Sequence, residues 1–435
     1  MVSLLEVSLG QQNENSPYSR LGIGELSDMN FNNSRQMGGL GASLLDAYHI
    51  NIVNPASLSF LNATAFDIGV FAKYNNIGES DRRSSIWTGN IEYISLGFPL
   101  KNPINELYDG SRSKTKLGMA FTLMPHSSVS YNILSSTTEA GNGLVERNYI
   151  GQGGSYKFLW SNSIKYNDFS FGINAGYMFG NISYERNVNF ADLPFAYDNR
   201  FSASYTLRGL LWSTGLMYTK VLNEKATEKN KLTPAKRISI GVHGNSTTGF
   251  STNSSIFETA VQTLIGATNR DTIREVSDVE GKGKLPAEFG AGFTYFNGEK
   301  YAFGVNYTFA AWSAYFNDAN QEKSGDMLDA FKLAAGGYYR PNYKSFDNFF
   351  DRVYYRYGVF YHADPRQIQG EQITGYGVSF GFGMPFVFQR KVSNVNLGVV
   401  GGLRGQQLPV SEKYFKVSLG VTFNDDEWFL KRKYN

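Results

Sequence analysis

Residues 169–179 read Phe-Ser-Phe-Gly-Ile-Asn-Ala-Gly-Tyr-Met-Phe, and every odd position of this stretch is apolar or aromatic. The even positions begin with Ser170, Gly172, Asn174 and Gly176, so they are small or polar. Because successive side chains of a strand point to opposite faces of a sheet, this alternation predicts a β-strand. Its length fits the roughly 9 to 11 residues with which a tilted strand crosses a bilayer, whereas soluble strands average about 5 to 6.

The same period of two recurs along most of the chain. Clear examples run from Phe66 to Tyr74, from Tyr301 to Phe309 and from Phe415 to Phe423. Fourteen segments of this kind begin near residues 64, 86, 115, 153, 169, 201, 235, 284, 300, 328, 353, 372, 393 and 414. The sequence therefore predicts an all-β fold, a 14-stranded antiparallel transmembrane β-barrel, since bacterial outer-membrane barrels have an even number of strands.

The connections between these segments alternate in character. Turn residues at Asn167-Asp168 and Asn297-Gly298-Glu299 predict short connections, and residues 135–151, 186–199 and 249–284 predict long polar loops. Short periplasmic turns and long external loops are typical of outer-membrane barrels. The connections at 101–113 and 340–351 depart from this rule, because both follow even strands and are not short. Aromatic residues near strand ends predict girdles at the membrane interfaces: Tyr74, Trp160, Tyr166, Tyr295, Trp312 and Tyr361.

Composition argues against several other classes of protein. The chain has no cysteine, which excludes a disulfide framework and Cys-ligated zinc, and its formal net charge of +3 gives no reason to expect a nucleic-acid partner. No run of about 20 apolar residues suggests a transmembrane helix. A soluble propeller would show a repeat of roughly 40 to 50 residues, which is not found. A soluble sandwich would turn its apolar face inward and leave glycine-lined strands facing water.

The two ends of the chain do not follow the strand pattern. Residues 1–10 are mostly apolar and end in Ser8-Leu9-Gly10, but they lack a basic start and contain Glu6, so they predict a signal-peptide remnant. Residues 11–62 precede the first strand and predict a hatch inside the barrel. The inward positions are mostly Gly, Ser, Asn and Thr, which would otherwise leave an open lumen. The barrel would span residues 63–424, and residues 425–435 would form a periplasmic tail.

Three features resemble the FadL-type outer-membrane transporters of hydrophobic compounds. They are the run Gly38-Gly39-Leu40-Gly41, the sequence Asn54-Pro55-Ala56 just before the first strand, and the count of fourteen strands. The resemblance covers the architecture of the whole chain, although its motifs are short. It implies a hatch in which Gly38, Gly39 and Gly41 are the hatch glycines and Asn54, Pro55 and Ala56 are the hatch motif.

The resemblance also implies a kinked third strand that opens the barrel wall sideways. Here Pro125, His126, Ser127 and Ser128 interrupt the third predicted strand. Proline lacks a backbone N–H donor, so it belongs at an edge, a bulge or a break in a sheet. The stretch Ser16 to Arg20 and the segment Trp428 to Lys433 look like a Bacteroidetes-type branch of this family. That branch includes subunits of larger outer-membrane machines, such as the shuttle barrel of type IX secretion.

Nothing in the sequence predicts an enzyme, a cofactor or a metal site. The four histidines are too far apart in sequence to suggest a metal pair, and the known nucleophile, phosphate-binding and zinc motifs are missing. Two functions therefore remain open for an integral outer-membrane barrel with both termini on the periplasmic side. The first is passive uptake of hydrophobic small molecules through a hatch-gated lumen and a lateral opening at the third-strand break, with lipid and a hydrophobic ligand or detergent as partners. The alternative is a non-transporting accessory subunit that binds partner proteins in type IX secretion or in a barrel-assembly complex.

Overall fold

The computed structural model describes residues 16–79, 82–101, 105, 113–193, 195–230, 233–264 and 267–428, and it confirms a closed antiparallel barrel of fourteen strands. The short strand β1, Glu25–Leu26, belongs to the N-terminal segment. The other strands are β2 Thr64–Glu79, β3 Arg82–Pro99, β4 Thr115–Glu139, β5 Gly143–Tyr166, β6 Phe169–Phe190, β7 Asp198–Val221, β8 Lys236–Asn245, β9 Thr248–Leu264, β10 Ala267–Leu285, β11 Glu288–Asn297, β12 Tyr301–Ala310, β13 Phe316–Asn317, β14 Ala330–Tyr339, β15 Tyr354–Ile368, β16 Glu371–Phe388, β17 Lys391–Arg404 and β18 Val410–Asp425. The helical elements are α1 Asn32–Arg35, α2 Glu224–Lys229 and the 3-10 turns Pro17–Arg20, Pro55–Phe60, Trp312–Ala314, Asp318–Asn320 and Phe350–Arg352.

The last barrel strand closes the wall against the first. β18 pairs with β2 from Thr64–Asp425 to Glu79–Val410. β9 continues β8 along β7, and β10 leads into β11, so these four segments form two long strands of the fourteen. We call the end at which β2 begins and β18 ends the proximal end, and the opposite end the distal end.

The predicted long loops are mostly strand. Residues 135–139 and 143–151 belong to β4 and β5, residues 186–190 and 198–199 to β6 and β7, and residues 249–264 and 267–284 to β9 and β10. Each ladder continues past the membrane-spanning part of the wall because the polar sequence there still alternates and carries β-branched residues. The connections expected to be long polar loops are therefore long hairpins, whereas Asn167-Asp168 and residues 298–300 are short proximal turns as expected.

The outer surface of the barrel is apolar and its inner surface is not. On β5, the outward residues Tyr156, Phe158 and Trp160 are 40 to 48% exposed, while Ser155 and Ser161 point inward and are buried. This pattern is what a wall surrounded by lipid requires. One predicted girdle residue is misplaced: Trp312 lies inside the barrel and is only 7% exposed, because the chain after β12 turns into the lumen.

Candidate functional site: the hatch and the interrupted wall

The N-terminal segment fills the barrel interior. We call residues 16–63 the hatch, residues 16–35 the upper hatch and residues 36–63 the lower hatch. Ile50, Ile52 and Ala56 in the lower hatch are completely buried, although they belong to a segment with little regular structure. The first described residue, Ser16, lies well inside the lumen, where its N–H donates to the carbonyl of Ser130 on β4. The chain therefore enters the described region in the distal half of the lumen, and residues 1–15, including the expected signal-peptide remnant, lie outside the described residues.

The lower hatch touches the wall at glycines. A Cβ atom on Gly241 of β8 would overlap the carbonyl oxygen of Ala42, and one on Gly215 of β7 would overlap the side chain of Asn54. Close approach of this kind is a reason to have glycine within a strand. The same relation holds at Gly118, Gly172, Gly336, Gly358, Gly381 and Gly398, each of which faces a hatch atom. The inward glycines, expected from the sequence to mark open space, thus mark contact surface.

Asn54 connects the lower hatch to two wall strands. Its Nδ2 donates to the carbonyl oxygens of Ala42 at 2.7 Å, of Leu216 on β7 at 3.2 Å and of Val242 on β8 at 3.3 Å. Its Oδ1 accepts from the N–H of Ala56 at 3.1 Å, which caps the 3-10 turn that begins at Pro55. Proline suits the first position of such a turn because its missing N–H has no partner there in any case.

The hatch glycines have separate roles. Gly38 and Gly39 have φ angles of +78° and +96°, a region that side chains disfavour. The N–H of Gly38 donates to Ser379 Oγ on β16 at 2.9 Å, so this turn is fixed to the wall. Gly41 instead packs against the side chain of Val53, where a Cβ would not fit.

The upper hatch is held by charges. Glu25 pairs with Arg404 of β17 and with Arg366 of β15, the latter at 3.0 Å. Burial pushes the pKa of Glu25 up, but the two guanidinium groups outweigh burial and hold it well below its ordinary value. Asp28 pairs with Lys332 at 2.6 Å, and Arg35 pairs with Glu92 of β3. The upper hatch is therefore tied to the wall on several sides of the barrel.

These inward charges were missed in the sequence. Inward positions were expected to be mostly Gly, Ser, Asn and Thr, yet Arg404, Glu412, Lys73, Glu92 and Arg366 are all buried in the lumen. Four of them are linked by ion pairs, because Glu25 joins Arg366 to Arg404, Arg404 pairs with Glu412 at 2.6 Å and Lys73 approaches Glu412 at 3.4 Å. Glu92 instead pairs with Arg35 of the hatch. The sequence does contain a signal for such residues, namely a charged residue at an inward position of a strand long enough to cross the membrane. A charge buried there needs a partner of opposite charge to compensate the cost of its burial.

The wall is interrupted between the second and third barrel strands. β3 and β4 pair only from Ile94–Leu123 to Pro99–Gly118. Beyond this ladder, β3 continues with β2 on its other side and β4 continues with β5. The hatch occupies the beginning of the interruption, since β1 pairs with β4 at Glu25–Ser128 and Leu26–Ser127.

The third strand itself is not broken. β4 runs without interruption from Thr115 to Glu139, and Pro125 pairs with Tyr156 of β5. His126 forms a bulge, after which Ser127 pairs with Ser155. The strand therefore bulges where the sequence suggested a kinked and interrupted strand, and it continues beyond the bulge. Pro125 to Ser128 mark instead the point at which β4 exchanges one neighbour, β3, for another, the hatch.

The segment between β12 and β14 covers the upper hatch from the distal side. We call residues 311–329 the lid segment. Its Glu322 accepts from the N–H of Gly22 at 2.9 Å, and its Asn320 donates to the carbonyl of Gly22 at 3.3 Å. Trp312 and Tyr315 pack with Ile23 in a buried apolar cluster. The upper hatch is thus in contact with both the wall and the lid segment.

A cavity of about 510 Å³ lies beside the upper hatch. Its lining includes both edges of the wall interruption, with Asn90 and Glu92 on β3 and Pro125, His126 and Ser128 on β4. The rest of the lining mixes apolar residues with charged ones, among them Asp28, Arg35, Lys73, Lys157, Lys332 and Arg404.

The structure shows no cluster of metal-ligating side chains within the described residues. No group of three or more His, Asp or Glu side chains there is placed to hold a metal ion. The histidines lie on different elements: His49 in the hatch pairs with Asp46, and the others are on β4, β8 and β15. No helix in the described part of the chain is long and apolar enough to cross a membrane.

Several solved structures share this fold. The CymD monoaromatic hydrocarbon channel has a TM-score of 0.53 and 16% identity, and the alignment covers 92% of this chain and 97% of that one. A FadL homologue of Pseudomonas aeruginosa has a TM-score of 0.57 and 11% identity, with coverage of 92% and 99%. The toluene transporter TodX of Pseudomonas putida has a TM-score of 0.54 and 15% identity, with coverage of 92% and 100%. At these identities the similarity establishes the FadL-type fold, which the sequence resemblance implied.

Sequence comparison identifies the family. No curated protein matches the chain. The family BamG matches it over residues 1–435, which is its full length. The match covers the whole chain, and the structure is an outer-membrane β-barrel of FadL-type fold. The chain is therefore a member of the BamG family.

Proposed function

We propose that this chain is an accessory barrel of an outer-membrane machine, and that it works through its surface while its lumen stays closed. The observation that carries the proposal is the attachment of the hatch. Buried ion pairs hold its upper part, glycine contacts hold its lower part, and the lid segment covers it. Moving such a hatch would take Glu25 away from Arg404 and Arg366 and leave its carboxylate buried without a partner, which is strongly unfavourable.

Of the two machines considered from the sequence, the barrel-assembly complex is the one that the family name BamG supports. We place the proximal end, with the tail after Asp425, on the periplasmic side, and the distal hairpins outside the cell. The chain has no cysteine, so a single cysteine at Asn142 in the β4–β5 turn should react with an impermeant maleimide on intact cells. A cysteine at Asp168 should react only after the outer membrane is permeabilised.

The experiment that tests the accessory role is isolation of the tagged chain from native outer membrane in mild detergent. We expect a stable complex that contains other barrel-assembly subunits. A second abundant barrel with the same tag serves as the control for non-specific association. Recovery of the chain alone, under conditions in which a known membrane complex stays intact, would contradict the accessory role.

A second function, passive uptake of hydrophobic small molecules, is supported by the cavity. Its lining reaches both edges of the wall interruption, so a molecule in the cavity could leave sideways into lipid, where apolar transfer is favourable. The charged lining argues against this route for a purely apolar molecule. Equal uptake of a labelled aromatic hydrocarbon by cells with and without the chain would exclude it.

A further inference from the structure

The distal extensions of the wall form a sheet in which, among the described residues, neither outer side pairs with a further strand. The strands run in the order β4, β5, β6, β7, β9 and β10, each hydrogen-bonded to the next. β4 and β10 are therefore its edge strands. An edge strand offers unpaired N–H and C=O groups, so it can pair with another chain unless its sequence prevents this.

The β10 edge is protected. β10 carries eight charged residues: Arg270, Asp271, Arg274, Glu275, Asp278, Glu280, Lys282 and Lys284. Its pairing with β9 shifts register twice, and Asp278 in the second irregularity has a φ angle of +58°. Charges and bulges are the usual means by which native sheets prevent pairing at an edge.

The β4 edge has neither protection. Residues 129–138 read Val-Ser-Tyr-Asn-Ile-Leu-Ser-Ser-Thr-Thr, without a charge or a proline and rich in residues that favour strands. Their register with β5 is regular from Ser128–Gly154 to Glu139–Gly143. Among the described residues, no second strand pairs with β4 beyond the hatch contacts at Ser127 and Ser128.

The contacts of the hatch show which backbone groups of β4 face away from β5. The N–H of Ser16 donates to the carbonyl of Ser130 at 3.1 Å, and the N–H of Ser130 donates to Ser19 Oγ at 3.2 Å. Because backbone groups alternate sides along a regular strand, the residues that follow in the same register also face away from β5. These residues are Asn132, Leu134, Ser136 and Thr138.

We propose that the free edge of β4 from Asn132 to Thr138 binds an extended segment of a partner protein by strand addition. The proposal rests on the accessory role and specifies where a partner binds. The occupant is an uncharged, β-forming polypeptide segment, because the edge offers backbone groups without charges and is continuous with the hatch contacts that already use it. Leu134, which is 65% exposed on the outer face, would pack against an apolar residue of that segment.

Hydrogen exchange of the native complex and of the isolated chain tests this directly. We expect peptides that cover residues 131–139 to exchange at least about tenfold more slowly in the complex than in the isolated chain. Peptides from the β10 edge, residues 268–280, should exchange equally in both samples and serve as the internal control.

A pair of variants at one position tests the backbone donor. Ser136→Pro removes an N–H that faces the free side and leaves the pairing with β5 intact, whereas Ser136→Ala keeps the N–H. We expect Ser136→Pro to lower recovery of the complex about two- to tenfold, and Ser136→Ala to leave it unchanged. Both variants should retain the heat-modifiable migration of a folded barrel.

The outcomes separate the two proposals. A complex in which residues 131–139 exchange as fast as in the isolated chain overturns strand addition and leaves the accessory role standing. If these residues are protected from exchange in the isolated chain and the protection disappears on dilution, the edge is occupied by a second copy of the chain. This result overturns the proposal that a segment of a partner protein binds there. Failure to recover any complex overturns both.

Discussion

The upper and lower hatch lie in the same lumen but are attached to the wall by different kinds of interaction. In the upper hatch, Glu25, Asp28 and Arg35 each pair with a wall residue of opposite charge. In the lower hatch, among the described residues, no ion pair reaches the wall, and backbone and amide groups lie directly on wall glycines instead. Charged attachment is selective for a partner and depends on pH, whereas steric fit depends on shape alone. A wall glycine can therefore be as specific an attachment point for the hatch as a salt bridge.

The largest effect should follow from removing one partner of the upper attachment. Arg404→Met leaves Glu25 and Glu412 buried near each other without their shared cation, which should lower the free energy of unfolding by about 3 to 5 kcal/mol. Urea unfolding of the detergent-solubilised barrel measures it. The exposed Arg200→Met is the matched control and should change stability little. Equal effects of the two variants would mean that the ion pairs do not hold the hatch.

The next effect concerns steric fit in the lower hatch. Gly241→Ala places a methyl group against the carbonyl of Ala42 and should cost about 1 to 3 kcal/mol by the same unfolding assay. Gly401→Ala, on β17, meets no atom within 4 Å and should be close to neutral. If the two alanine variants were equally stable, the wall glycines would not be contact points for the hatch.

A smaller effect is expected at the amide that joins hatch and wall. Asn54→Ala loses the cap on Ala56 and the donors to β7 and β8, which should cost about 1 to 2 kcal/mol. Asn54→Asp keeps the cap acceptor but places a carboxylate oxygen against the carbonyl oxygens of Ala42, Leu216 and Val242, so it should be no more stable than Asn54→Ala. A stability of Asn54→Ala equal to that of the unmodified chain would show that neither the cap nor the wall contacts matter.

The smallest effect should come from moderate acid. The pKa of Glu25 lies below its unfolded value, so its stabilising contribution is complete above about pH 4.5 and is lost only as the pH falls towards the lower, folded value. The melting temperature should therefore not report loss of this attachment between about pH 8 and 5. If stability fell between about pH 8 and 5, and Glu25→Gln abolished that fall, the lowered pKa of Glu25 would be contradicted.

The period-two pattern was enough to predict the barrel. Segments such as 169–179 are long and strictly alternating, so the strand count and the short turn at Asn167-Asp168 were recoverable from local sequence. The distal hairpins were not, because polar residues alternate less visibly there and resemble loops.

The site was harder to predict because it depends on what meets inside the barrel. Asn54 and Gly38 could be selected from sequence, but their wall partners, such as Val242 and Ser379, are distant in the chain. The charges that hold the upper hatch are likewise spread over β3, β15 and β17. The lateral opening expected at Pro125 stays a prediction, and the interruption of the wall lies on the β3 side of β4, which no single strand reveals.

The central claim, that the hatch is a fixed part of the barrel, can be tested with one engineered disulfide. Leu26 and Ser127 are directly opposed residues of β1 and β4, a spacing that suits a disulfide, and the chain has no other cysteine. In cells that carry only the Leu26→Cys, Ser127→Cys variant, we expect the oxidised, locked barrel to correct the defect of a deletion strain as fully as the reduced one. Loss of function on oxidation that is restored by reductant would show that the hatch must move, and would contradict the account.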